Sequence, residues 1–159
     1  MKKTIERKRE MSLTPLVRCS GHPSTERSDE NIRNIMKVQG EIEFTITEHS
    51  PEHVLAEMPI HSGILNPYGI VNAGAMLWFA DVCATILVNG DGEFAPGVPG
   101  FPLGVSLNAH FAGNQKDGVL NATCKFVKRD RRLSIVHTII SGANNQLIAD
   151  VTTKHIAAK

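Results

Sequence analysis

The sequence predicts an α+β protein in which a curled antiparallel sheet surrounds one long helix. Three observations carry this. Residues 72–89 run without a proline, are rich in helix formers, and are apolar almost all round. Such a helix is normally buried on most of its sides. Two strand-like segments precede it, and three or four follow, separated by turn signals. Strands gathered on either side of one helix indicate segregated layers rather than repeating βαβ units.

The elements follow in order. Residues 1–26 carry scattered charges with Pro15, Gly21 and Pro23 and hold no sustained period, so they read as a tail or loosely docked arm. Residues 27–159 then form a single domain, a size that buries a substantial core. Ser28 and Asp29 can cap a helix over 29–38, where Ile32, Ile35 and Met36 recur at helical spacing and Gly40 stops it. In 41-EIEFTITEH-49, Ile42, Phe44 and Ile46 alternate with polar residues, which marks a half-buried strand. Ser50-Pro51 turns the chain into a hairpin partner, 53-HVLAEMPI-60. Gly63, Pro67 and Gly69 make 61–71 irregular. Asn72 then caps the long helix, roughly 27 Å at 1.5 Å per residue. A Gly/Pro-rich loop, 90-GDGEFAPGVPGFP-102, leads to strand segments 103–111, 118–128, 132–141 and 146–156. Gly113-Asn114, 128-KRDRR-132 and 142-GANNQ-146 separate them.

Composition excludes several classes. Seventeen basic residues against sixteen acidic ones give a net charge of +1, no electrostatic footing for nucleic acid or a membrane surface. Cys19, Cys83 and Cys124 are widely spaced and form no CxxC pair, which argues against a disulfide framework or zinc ribbon and suits a reducing cytoplasm. The basic N-terminus lacks an apolar core, so no secretory signal is expected. Met11 is an alternative start. Segment 73–88 is short for a membrane span and holds Asp81. His49 and His53 flank Pro51, which argues against a helical metal pair, and no metal or redox cofactor is expected. There is no GxSxG elbow and no GK[ST] ending to the Gly-rich loop.

The chemistry gathers in 65-LNPYGIVNAGAMLWFAD-81, an apolar run closing on a carboxylate. An acid in such surroundings costs stability unless it is exposed, paired or neutralised. Asn66, Gly69, Val71, Gly74 and Asp81 fall in register with the active-site segment of the hotdog-fold acyl-CoA thioesterases of the phenylacetate-pathway type, which this stretch resembles. The strand 104-GVSLNAHF-111 and the terminal TTKH at 152–155 resemble that family too, so the likeness spans roughly residues 40–157. Two positions depart from it. Asn72 stands where the family has His, and Ala73 where it has Gly.

The resemblance implies a hotdog fold and hydrolysis of acyl-CoA to acid and coenzyme A, the coenzyme being part of the substrate. It implies Asp81 as general base or nucleophile, with the backbone N–H groups of Ala73 and Gly74 receiving the oxyanion at the helix start. Gly74 and Asp81 lie seven residues apart, roughly 10 Å along one helix, too far to share a carbonyl. The family resolves this by dimerisation, which implies Asn66 and Ala73 from one protomer with Asp81 and Ser106 from the other, in a homodimer or dimer of dimers. Asn66 would orient water or substrate, Ser106 would hold the water, and Asn72 and Gly69 would border the substrate. Lys128, Arg129, Arg131 and Arg132 form the densest basic cluster after the tail, a turn that the resemblance implies for the nucleotide, with Lys128, Arg131 and Arg132 as its binding residues.

Plainer readings stand beside these. Asp81 could be a structural acid, Asn66 a turn residue, Ser106 a satisfied hydroxyl and the basic turn a solvated hairpin tip. Cys83 reads as an inert buried thiol, and Met76, Trp78 and Phe79 as packing. Two other functions compete: an acyl-CoA-binding module with little turnover, and a hydroxyacyl dehydratase, for which His61 is the nearby imidazole.

Overall fold

The computed structural model describes residues 40–95 and 97–158. The expected tail and the helix expected over 29–38 lie outside them. Strands β1 (Thr45–His49) and β2 (His53–Pro59) form the first hairpin. Helix α1 (Ala73–Asn89) follows, then β3 (Pro102–Phe111), β4 (Val119–Arg129), β5 (Ser134–Ser141) and β6 (Leu147–Ala157). The strands make one antiparallel sheet in the order β1-β2-β4-β5-β6-β3. The fold class expected from the sequence is the one observed.

Alternation along the strands builds the core. Val54, Ala56 and Met58 of β2, Val136, Thr138 and Ile140 of β5, and Val151, Thr153 and His155 of β6 are buried at every second position. They pack against Ala75, Met76, Phe79, Ala80, Cys83, Ala84 and Leu87, one face of α1. Phe44 closes one side, packing at a tilt on Phe79 with centroids 4.9 Å apart and edge-on to Trp78 at 5.1 Å.

Two expectations need correction. The first strand starts at Thr45 rather than Glu41, and Ile42, expected inside, is exposed. The helix is also less enclosed than its composition suggested. One sheet covers one face, and on the opposite side Trp78 is 42% exposed and Leu77, Asp81 and Val82 are only half-buried. The edge strand β3 likewise exposes Leu103, Val105, Leu107 and Phe111.

Candidate functional site

The helix start is held by side chains from both sequence directions. Asn66 Oδ1 accepts from Tyr68 N–H at 2.9 Å and Ile70 N–H at 3.4 Å, closing a turn in which Gly69 adopts φ +71°. A side chain at 69 would be strained in that left-handed conformation. Val71 N–H donates to Asn114 Oδ1 at 3.0 Å, and Asn114 Nδ2 donates back to Val71 carbonyl at 3.0 Å. Asn114 was legible only as a turn signal. Its role depends on a partner 43 residues away.

Asn72 is the N-cap, as its position predicted, with Oδ1 accepting from Gly74 N–H at 2.8 Å. That contact changes the expected oxyanion site. Of the two N–H groups expected to receive the carbonyl oxygen, the one on Gly74 is already engaged. The Ala73 N–H has no hydrogen-bond acceptor among the described residues. Asn66 Nδ2 likewise has no partner among them.

Asn66, Asn72 and Gly74 line one concavity of about 620 Å³ with Ile42, Leu65 and Ala75. Asp81 and Ser106 line another, about 480 Å³, with Leu77, Trp78, Gly104 and Leu107. The two share no residue. Gly69 borders neither, being consumed by its turn. Ser106 is exposed on β3, beside a bulge between Gly104 and Ser106, and its hydroxyl has no hydrogen-bond partner among the described residues. Bulges of this kind re-aim the residues that follow them. Gly104 brings β3 close to the acid: a Cβ there would stand 3.2 Å from Asp81 Oδ1.

Beneath Gly104 lies His155, its β6 partner, buried with only 1% exposure. Burial pushes its imidazole below the ordinary value, and the nearby Asp81 charge opposes that drop. The sequence marked His155 only as part of a strand signature.

The basic turn divides. Lys128 pairs with Asp130 at 2.9 Å, while Arg129 donates to Pro51 carbonyl and lies over the Phe126 ring. Arg131 and Arg132 are exposed, have no carboxylate partner among the described residues, and rim a small cleft of about 180 Å³. His61 Nδ1 is engaged in capping the short helical turn at Ser62–Ile64. Cys83 and Cys124 are buried. The Cys83 thiol is pushed upward by its hydrogen bond to Cys124 and by burial, so it is held protonated. Among the described residues no cluster of His, Cys, Asp or Glu could hold a metal ion, and no helix is long and apolar enough to cross a membrane.

Solved structures share this architecture. A mutant of a thioesterase from Staphylococcus aureus superposes with a TM-score of 0.68 at 20% identity, covering 73% of this chain and 93% of that one. A thioesterase from Haemophilus influenzae gives 0.65 at 16% identity, covering 73% and 78%. A mutant thioesterase from Pseudomonas aeruginosa gives 0.64 at 17% identity, covering 74% and 81%. The chain has the hotdog fold of these thioesterases. No protein-family model matches the chain, and no curated protein does, so the likeness is one of structure.

Proposed function

We propose that this protein hydrolyses acyl-CoA thioesters to free acid and coenzyme A, as a homodimer whose sites each draw on both protomers. The observation that carries the reading is the division of the chemistry within one chain. Free donors gather at the helix start and the acid lies in a separate concavity, beside an edge strand and helix stripe left apolar. A second copy paired along β3 supplies each half with its complement and covers that apolar surface. One spacing adds support. The mutants of the Staphylococcus aureus protein replace a Gln and a Glu fifteen positions apart, as Asn66 and Asp81 are here.

In this reading the thioester oxygen accepts from Ala73 N–H and Asn66 Nδ2 of one protomer. The positive end of the helix dipole stabilises the charge that develops on that oxygen. Asp81 of the other protomer takes a proton from a water held beside Ser106, or attacks the carbonyl directly. The coenzyme A thiolate then departs. Arg131 and Arg132 receive the phosphates of the nucleotide, with Lys128 contributing less because Asp130 already neutralises it. For the dehydratase alternative, His61 offers only its Nε2, because Nδ1 is engaged in capping.

The test is thiol release from a panel of aromatic and aliphatic acyl-CoAs. Asp81→Asn lowers kcat by about 10²- to 10⁴-fold. An equimolar mixture of Asp81→Asn and Asn66→Ala chains, unfolded and refolded together, regains about a quarter of wild-type turnover, because half the dimers are mixed and each holds one intact site. No recovery refutes the shared site. Tight acyl-CoA binding by wild type without thiol release assigns a binding module instead.

A further inference from the structure

His155 carries a feature that the hydrolytic reading leaves unused. Its Nε2 makes one hydrogen bond, 2.9 Å to Thr153 Oγ1, and Thr153 is fully buried. Its Nδ1 is buried with no hydrogen-bond partner, the one such side-chain atom among the described residues. An unsatisfied buried polar atom is destabilising. A fold that could place leucine there and places histidine instead gains nothing in packing from the exchange.

Its surroundings point to a use. The Cβ that Gly104 lacks would stand 3.2 Å from Asp81 Oδ1 and 4.0 Å from His155 Nδ1 and Cε1. Imidazole and carboxylate therefore border the same gap, which exists because residue 104 has no side chain. On β5 the neighbour is Ser134, and on the far side Arg129, Asp130, Arg131 and Arg132 rim the cleft that His155 also lines. Burial keeps the imidazole neutral at pH 7, so one ring nitrogen carries a proton. When Thr153 donates its hydroxyl to Nε2, that proton sits on Nδ1.

We infer that His155 is a positioning residue for Asp81, its unpartnered Nδ1–H bordering the Gly104 gap and available there to hold the carboxylate in the orientation that the reaction requires. The inference rests on the hydrolytic reading of Asp81. Geometry of this kind is worth catalysis without contact to substrate, since small misplacements of a reacting group cost up to about 10²-fold in rate.

Two near-isosteric variants separate the ring nitrogens. His155→Asn keeps a polar group near the Nδ1 position and gives up the Thr153 bond. His155→Gln keeps the Thr153 bond and gives up Nδ1. The expected result is a kcat lowered about 10- to 100-fold in His155→Gln with KM within about twofold, and the acid limb of the kcat/KM profile moved to higher pH. His155→Asn stays within about threefold of wild type. Gly104→Ala, which fills the gap, follows His155→Gln. Equal losses in the Asn and Gln variants, or an acid limb that moves in neither, assign His155 a packing role and overturn the inference.

Asp81→Asn is assayed alongside. If wild type hydrolyses acyl-CoA and Asp81→Asn does not, the reading of Asp81 stands and the His155 pair is judged alone. If wild type turns over no thioester, nitrogen-15 NMR titration of the histidine rings decides. His155 then titrates at lower pH in Asp81→Asn than in wild type, and an unchanged titration refutes the coupling.

Discussion

Replacing Asn72 by alanine distinguishes a cap from a substrate-binding group, two roles the sequence left open for the same side chain. The structure assigns Asn72 Oδ1 a 2.8 Å bond from Gly74 N–H, at an exposed helix start. Losing such a cap costs about 1 kcal/mol, within a range of about 0.5–2. For a chain of this size that is a fall of about 2–4 °C in Tm. Turnover should stay within about threefold, because the freed Gly74 N–H becomes a second donor beside Ala73. Asn72→Asp tests the same geometry from the other side. Aspartate caps as well as asparagine, so Tm holds. Its charge, however, sits where the oxyanion develops, and kcat falls about tenfold or more. The measurements are scanning calorimetry at one protein concentration and thiol release under saturating acyl-CoA. If Asn72→Ala keeps its Tm and loses turnover by more than about 100-fold, the side chain belongs to the substrate and the capping account fails.

Further outcomes follow from the same structure. The folded His155 imidazole resists protonation, whereas the unfolded one titrates near 6.5. Stability is therefore full above about pH 6.5 and declines as pH falls below it, since the unfolded chain then binds the extra proton. Calorimetry from pH 8 to 5 should show that slope, and His155→Asn should flatten it. Reversing both Arg131 and Arg132 to Glu should raise KM for acyl-CoA about tenfold, less at high salt, and leave kcat unaltered. A thioester lacking the nucleotide should not register the change. Leu107→Lys on the exposed edge of β3 should shift the sedimenting species to monomer and remove turnover with it. Cys83 and Cys124, both buried, should resist alkylation in the folded protein and react on denaturation, as peptide mass spectrometry would record.

Much of this was legible along the chain because it is local. An N-cap asparagine, a stretch free of proline and the Gly/Pro-rich loop that follows bound α1 within a residue of its observed limits. Turn residues bound the four strands after it, and period-two alternation shows which faces of the strands are buried. The same stretch exposed Asp81 as an acid in apolar company. What stayed hidden was not local. Phe44 shelters beneath Trp78 while Ile42 does not, and no pattern of alternation distinguishes them. The backbone N–H of Gly74 was expected to be free, yet a side chain two positions earlier claims it.

From sequence come the class of architecture, the limits of its one helix and the acid at that helix's centre, because propensity and periodicity act over a few residues at a time. From the folded chain come the pin between Asn114 and Val71, the split of the candidate site into two concavities, and the gap that Asp81 and His155 border at Gly104. These depend on strand register and on which side of the helix one sheet leaves uncovered. Both are set by packing between segments far apart in the chain, where no local pattern reaches.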